Sequence, residues 1–354
     1  MTLAPRSLDE LQQAVAASRP GPLRIRGAGS KRVAARDGTT LDTRALSGIV
    51  GYHAAECVVT ALAGTPVRDV QRVLAEHGQY LPFDPPLARK GATIGGTVAA
   101  GFSGSCRLRY GGIRDFVIGT AVVDGEGRLI RSGGQVVKNA AGFLLHHAVV
   151  GSAGRYGVVA EVAFKVFPAP EARATLRVTA PSVAGALDVF RRMSAGVPDL
   201  DALDADLTEA VVWARLAGAA AALPGRLDRA AGLGGGARVE RLDGDAEAQV
   251  WSDAADLAWA GPTATVIKVI ATPGRLVAVH AALARFGRLR VICGGAAMLL
   301  ATTQPVAEIE AALPAGARAV VVRGAECGQV LGAGRGNLFD ERVRRTLDPT
   351  GRFV

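Results

Sequence analysis

Long apolar runs are missing: none in the 354 residues reaches the about 18 that a membrane-spanning helix needs. The N-terminal MTLAPRSLDELQQ also lacks a basic segment followed by an apolar stretch, so no secretory leader is read there and a cytoplasmic chain is expected. Histidine is scarce, with five residues in all. The cysteines Cys57, Cys106, Cys293 and Cys327 nowhere form C-x-x-C, which leaves no zinc or iron–sulfur spacing and points to buried reduced thiols. No metal site is therefore expected. Aromatic residues are few, and the arginines are scattered rather than gathered on one helix, so nucleic acid is not the expected partner.

Glycine is abundant instead. It clusters between short β-branched runs over residues 91–165. Such turns bring backbone N–H groups close to a ligand and can cradle a phosphate. The length suggests two domains, and a mean hydropathy of +0.24 is ample for a folded core. The charge is uneven: residues 1–170 hold 20 Lys/Arg against 12 Asp/Glu, and the remainder 21 against 20. A basic, β-rich first half with open glycine loops suits a large, flat, anionic ligand.

Ser7-Leu8-Asp9-Glu10 spells a capping box, in which hydroxyl and carboxylate satisfy reciprocal backbone donors, and predicts a helix to Ser18. A short strand over 23–26 then meets the loop Arg26, Gly27, Ala28, Gly29, Ser30 and Lys31. Taken alone, this loop is equally an ordinary strand–turn or a pyrophosphate cradle. Thr65 as N-cap and Pro66 at the first helical position predict a helix ending at Gly78. QYLPFDPP, ending at Pro86, is a stiff extended wall because proline fixes φ. A second glycine cluster holds Thr93, Ile94, Gly95, Gly96, Ala99, Ala100 and Gly101. Asp124-Gly125-Glu126-Gly127 is a hairpin turn. Lys138-Asn139 lies in a loop before a helix over 143–150. Its neighbours His146 and His147 are expected on different faces, so they form no i,i+4 metal pair. Gly157 and Val159 open the next strand.

These motifs, namely Gly27-Ala28-Gly29-Ser30, ATIGG, RYGGIRDFVIGTAVVDGEG, KNAAGF and GSAGRYGVVAEVAFKVFP, resemble in content and order the FAD-binding domain of the vanillyl-alcohol-oxidase, or PCMH, type. Within that family the resemblance is to FAD-binding subunits of bacterial glycolate oxidases. It is dense over residues 23–168 and thin afterwards. It implies an α+β chain with a PCMH-type two-lobed FAD-binding domain over residues 1–170. By resemblance, the residues from Arg26 to Lys31, Pro86, Thr93 to Gly96, Ala99 to Gly101, Lys138, Asn139, Gly157 and Val159 contact the cofactor. Many members carry a His bonded to the flavin where this chain has Ser30, so the implied FAD is non-covalent. Many also carry Thr-Asn where this chain has Ala100-Gly101, which shifts the contact towards backbone groups.

Pro168-Ala169-Pro170 marks the expected domain boundary. Beyond it the pattern predicts two successive β-α-β-β-α-β sets, over 172–243 and 264–323, linked by a helix over 246–260. The expectation for 171–354 is a duplicated ferredoxin-like antiparallel sheet with helices, a cap-like domain reduced relative to catalytic relatives. The tail RVRRTLDPTGRFV resembles the family's closing Asp-Pro, Gly and Phe motif, whose further Asn-Pro-Gly-Arg-like contact is expected to be absent or replaced.

The related catalytic subunits carry an HGDGNxH-like stretch in this half. It is missing here, and His280 is the only histidine beyond residue 170. The resemblance thus implies an FAD-carrying partner of a catalytic flavoprotein subunit and an iron–sulfur subunit, in a complex taking glycolate, a small 2-hydroxy acid, to glyoxylate. No catalytic residue is assigned, and attachment at the inner membrane through partners stays open. A stand-alone 2-hydroxy-acid dehydrogenase with Arg114, Lys138 or Tyr110 at its substrate site is the alternative, and a structural subunit without FAD is another. A Rossmann site is disfavoured because Gly27-Ala28-Gly29 lacks the third glycine.

Overall fold

In the computed structural model, which describes residues 1–18, 21–33, 37–134, 145–332 and 338–353, Ser7 caps the first helix from one side only. Its Oγ accepts from the Glu10 N–H at 3.1 Å, while the Glu10 carboxylate accepts from the Arg6 N–H at 2.7 Å. The expected reciprocal box is thus replaced by a bond to the donor one residue upstream. Helix α1 (Leu8–Ala17) follows β1 (Thr2–Leu3) and buries Leu11 and Val15. Strands β2 (Leu23–Arg26) and β3 (Thr39–Asp42) complete a three-stranded sheet in the order β1-β3-β2, with both pairs parallel.

Strands β4 (Ile49–His53) and β5 (Val58–Leu62) begin a second sheet. Helix α2 (Val67–Glu76) starts one residue later than expected, with Pro66 as its cap. Thr65 is occupied elsewhere: its hydroxyl accepts from the Gly48 N–H at 2.9 Å and donates to the Gly48 carbonyl at 3.0 Å. Then come β6 (Gln79–Tyr80), α3 (Ile94–Ala100), α4 (Arg107–Tyr110), β7 (Val117–Val123), β8 (Leu129–Gly133), α5 (Leu145–Ala148), β9 (Val158–Lys165) and β10 (Phe167–Pro168). The second sheet is antiparallel in the order β4-β5-β9-β7-β8. Its β7–β8 turn is held by Asp124, whose Oδ1 accepts from the Glu126 and Arg128 N–H groups, each at 2.9 Å. One apolar core joins the two sheets: Leu11, Val15, Leu23 and Leu41 pack with Ala121, Val123, Val158 and Ala160. Each such fully buried Leu or Val contributes about 1.5–3 kcal/mol.

The remaining elements are β11 (Ala172–Thr179), α6 (Val183–Gly196), β12 (Ala202–Asp206), β13 (Val211–Gly218), α7 (Leu223–Ala231), β14 (Arg238–Asp243), α8 (Gly244–Ala255), β15 (Thr265–Ile270), α9 (Leu276–Leu283), β16 (Arg288–Ile292), β17 (Ala297–Thr302), α10 (Val306–Ala312), β18 (Arg318–Arg323), β19 (Val330–Gly332) and α11 (Leu338–Leu347). Strands β11–β19 form one nine-stranded sheet in the order β14-β11-β13-β12-β16-β17-β15-β18-β19. Each set of four strands has the 4-1-3-2 order of a split βαβ motif, so the ferredoxin-like unit is duplicated. The halves join at β12 and β16 through Ala205↔Val291 and Asp206↔Arg290. Helices α6, α7, α9 and α10 bury one sheet face, where Leu203, Val212, Ile267, Val291 and Leu300 form a core with Phe190, Leu227, Val279 and Ile309. Alternate strand residues, including Asp204, Arg215, Lys268 and Arg290, therefore point to the other face.

The chain divides into two units, Met1–Phe102 with Gly112–Ala169 and Gly336–Val354, and Ser103–Gly111 with Pro170–Arg335. A single division of 1–170 from 171–354 is thus crossed by two segments. Residues 103–111 belong to the second unit because Ser105 Oγ donates to Asp204 at 2.5 Å and Cys293 Sγ to the Gly104 carbonyl at 3.4 Å. The tail belongs to the first because Arg352 donates to the carbonyls of Val15 and Gly125 at 2.9 and 3.1 Å. Both ties span long sequence separations.

Candidate cofactor-binding site

The C-terminal tail anchors the strand that leads to the first glycine loop. The Leu23 N–H donates to the Arg352 carbonyl at 2.7 Å, and Phe353 forms a bridge with Leu23. Strand β2 then delivers Gly27-Ala28-Gly29-Ser30. Gly29 has φ +71°, the left-handed region that glycine enters without strain. The N–H groups of Ala28, Gly29 and Ser30 donate to no described residue. The loop is half-buried to exposed, with Arg26 exposed beside it and Lys31 half-buried after it.

The second glycine cluster lies against this loop. A Cβ on Gly27 would sit 2.6 Å from Thr93 Oγ1, and one on Gly91 would sit 3.9 Å from the Ala28 methyl. Thr93 is buried and caps α3, its Oγ1 accepting from the Gly96 N–H at 3.3 Å. The donors at the start of α3 are consumed inside the protein: Ile94 N–H goes to the Thr65 carbonyl at 2.9 Å and Gly95 N–H to the Ala63 carbonyl at 2.8 Å. Gly95 packs on Ala63, where a Cβ would come within 2.7 Å. Ile94 and Gly95 are therefore scaffold, and Ala99, Ala100 and Gly101 form the half-exposed end of α3. Sequence reasoning did not place the partner of that end. The Gly151 N–H donates to the Val98 carbonyl at 2.9 Å, and the Ala153 N–H to the Ala99 carbonyl at 2.8 Å. The glycine pattern of residues 151–154 was the available signal, since a Cβ on Gly101 would lie 2.7 Å from Gly151 Cα.

The other site residues separate by depth. Pro86 is buried, at the end of a segment pinned by Phe83, whose ring lies 5.6 Å from Phe116 and 5.7 Å from Phe164. Gly157 and Val159 are buried, and a Cβ on Gly157 would come within 2.7 Å of Val122. Lys138 and Asn139 lie outside the described residues. Arg114 is exposed in the first unit. In the second unit, Arg109 pairs with Asp199, and the Tyr110 hydroxyl donates to Asp201 at 3.2 Å. His146 and His147 do not diverge as expected. Their rings meet at 4.3 Å on the single turn of α5. Among the described residues, no group of three His, Cys, Asp or Glu could hold a metal.

Electrostatics favour an anion at the loop. Burial pushes the Asp42 carboxyl up, but the bonds and charge of Arg44 and the charge of Arg26 outweigh it and hold the carboxyl below its ordinary value. Arg44 pairs with Asp42 at 2.6 Å, and the cations Arg26 and Lys31 stand on either side of the Ala28, Gly29 and Ser30 N–H groups in the sequence. A nest of backbone donors between two cations is the donor set a pyrophosphate needs.

Residues 1–133 match the family described as FAD binding domain. The chain is 44% identical over 172 residues to glycolate oxidase subunit GlcE of Escherichia coli strain K12, covering 48% of this chain and 49% of that one. It is 32% identical over 180 residues to glycolate oxidase subunit GlcD of Bacillus subtilis strain 168, covering 49% and 38%. It is 31% identical over 158 residues to D-2-hydroxyglutarate dehydrogenase of Xanthomonas citri pv. viticola, covering 45% and 33%. The matches thus span about half the length of GlcE and less of the other two. A solved structure of alkyldihydroxyacetonephosphate synthase matches over 99% of this chain and 75% of that chain, with a TM-score of 0.73 at 14% identity, a likeness of fold. The fold is that of PCMH-type FAD-binding proteins, and FAD is the cofactor of the N-terminal half.

Proposed function

We propose, from an N-terminal half that is an FAD-binding domain, that this chain is the FAD-carrying subunit of a complex oxidising a small 2-hydroxy acid, glycolate, to glyoxylate. The names of its relatives support that substrate class. One observation carries the subunit role. The first glycine loop offers backbone donors that no described residue accepts, while the second unit has His280 as its only histidine, half-buried on α9 and with its pKa lowered by burial. A catalytic flavoprotein subunit and an iron–sulfur subunit are the proposed partners. Among the described residues no helix is long and apolar enough to cross a membrane, so attachment to one would run through those partners.

FAD, when bound, supplies the hydride acceptor for alcohol oxidation. The chain's own residues hold and orient it. The N–H groups of Ala28, Gly29 and Ser30 bind the diphosphate oxygens, and Arg26 and Lys31 offset their charge. Ser30 stands where, by resemblance, covalently linked members carry a histidine, which supports FAD held non-covalently. Gly27, packed on Thr93, sets the distance between the two glycine segments.

The test is the visible spectrum of the purified chain, followed by anaerobic glycolate. A yellow protein whose flavin is released by acid, and which glycolate bleaches only after the partner subunits are added, is the expected result. Bleaching of the chain alone would make it a dehydrogenase in its own right. A colourless protein that refuses added FAD would make it a structural subunit.

A further inference from the structure

Arg290 on β16 is only 5% exposed, yet its guanidinium makes no hydrogen bond to any described residue. It stacks on Trp213 of β13 at 4.5 Å and on Trp259, in the turn after α8, at 5.8 Å. Both rings compensate part of the desolvation. They offer no acceptor to its edge.

The carboxylates facing Arg290 are already committed. Asp204 Oδ1 accepts from the Cys293 N–H at 3.2 Å, and Oδ2 from Ser105 Oγ at 2.5 Å. Asp206 Oδ1 accepts from the N–H groups of Thr208 and Glu209 at 3.0 and 3.1 Å, and Oδ2 from Arg288 Nε at 2.8 Å. Burial pushes the Arg290 guanidinium down; the charges of Asp204 and Asp206 oppose this from a distance without outweighing it, and Arg288 adds to it. The strand register adds a further cation. Asp206, Arg290, Leu299 and Lys268 form one cross-strand row on the face away from the four helices. Arg290 and Lys268 are two strands apart, about 10 Å between Cα atoms. The buried Leu299 lies between them. Burial pushes the Lys268 ammonium down, and the charge of Arg107 adds to this.

A desolvated guanidinium between two rings, with its donors unused among the described residues, is built for a planar, bidentate acceptor. We infer that Arg290 binds the carboxylate of a short 2-hydroxy acid edge-on, with Trp213 and Trp259 stacked on the guanidinium, Leu299 as the floor and Lys268 as the second cation of the row. The identity of the acid rests on the proposed function; the carboxylate site itself rests on Arg290.

The two tryptophans supply the readout. The FAD-loaded full chain, without partners, is titrated with glycolate, acetate, inorganic phosphate and chloride at constant ionic strength, following tryptophan emission and heat. Glycolate is expected to give a saturable response, with acetate about 10-fold weaker for loss of one hydroxyl bond, phosphate weaker than glycolate because its tetrahedral oxygens fit a planar slot poorly, and chloride giving none. Arg290→Lys keeps the charge but loses the fork and is expected to weaken glycolate about 10-fold. Arg290→Met is expected to abolish binding; should it not fold, the Lys variant decides. An unchanged titration in Arg290→Lys, phosphate binding as tightly as glycolate, or no saturable response would each overturn the assignment. Bleaching by glycolate alone would refute partner dependence and leave this site standing. Partner-dependent turnover without binding to this chain would refute the site alone.

Discussion

Replacing Gly27 by Ala tests the cradle at its tightest point. The new Cβ would lie 2.6 Å from Thr93 Oγ1, where ordinary contact begins near 3.4 Å, so one partner must move by roughly 0.8 Å. Thr93 is buried and its hydroxyl holds the Gly96 N–H, so moving it sacrifices the cap of α3, about 1 kcal/mol. Moving the loop instead displaces N–H groups aimed at a charged diphosphate, each worth about 1.5–3 kcal/mol. Losing one of these raises the FAD dissociation constant about 10- to 100-fold. The unfolded-state gain from Gly→Ala, about 0.4–1 kcal/mol, bears on folding stability and leaves the FAD dissociation constant untouched. The assay is titration of apoprotein with FAD by flavin fluorescence quenching, run on wild type, Gly27→Ala, Thr93→Ala and the double variant. Removing Oγ1 relieves the clash, since the Thr93 Cβ lies 3.8 Å away. Gly27→Ala should then cost little, giving a coupling of about 1–2 kcal/mol. Affinity within twofold of wild type for Gly27→Ala, or an equal penalty with and without Oγ1, would refute the packing argument.

Three other perturbations have worked-out signs. Arg352→Ala removes bonds to the carbonyls of Val15 and Gly125 and to Ser18 Oγ, the last at 2.9 Å, and should lower stability by about 3–5 kcal/mol in urea unfolding, with weaker FAD binding because β2 is freed. Glu247→Gln leaves Arg215 buried without its counter-charge. In the native pair, Arg215 Nη2 donates to Oε2 at 3.2 Å, and Nε lies 2.7 Å from Oε1 without hydrogen-bond alignment; a loss of about 3–5 kcal/mol is expected by denaturant midpoint. Burial lowers the pKa of both His146 and His147, with added repulsion from His147 on the first and Arg114 on the second. The unfolded imidazoles therefore protonate first, near pH 6.5, so this stability is present above about pH 6.5 and lost as pH falls through the depressed folded values. A His146→Gln, His147→Gln double variant should show a flatter stability profile between about pH 7 and 5; an unchanged slope would count against it.

Ser132 explains why the histidine pair was not legible in the sequence. Its Oγ accepts from the His146 N–H at 3.3 Å and lies 3.2 Å from the His146 Nδ1, a tie between β8 and α5 that no helical periodicity encodes. The Gly27–Thr93 contact was half legible. Both glycine clusters stand out in the sequence, but which glycines face outward does not. Gly95 packs on Ala63 and Gly157 on Val122, with no room for a Cβ, whereas the Ala28–Ser30 donors reach no described acceptor. Arg290 was not singled out at all, because nothing local distinguishes a stacked, unbonded guanidinium from a surface arginine.

Local pattern by itself determined the elements of the second half. Short apolar runs such as β13 and β15, and the apolar face of α6, fall in the same β-α-β-β-α-β order twice, since strand and helix periods follow from backbone geometry within each segment. Composition and glycine clustering pointed to a large anion at the first half without deciding which turns would meet it. The tertiary structure alone decided which strands are neighbours, that residues 103–111 and the tail cross between units, and that Trp213 and Trp259 close on Arg290. Those outcomes depend on contacts between residues far apart in the chain, whose energy comes from shared burial and matched hydrogen bonds rather than from local propensity.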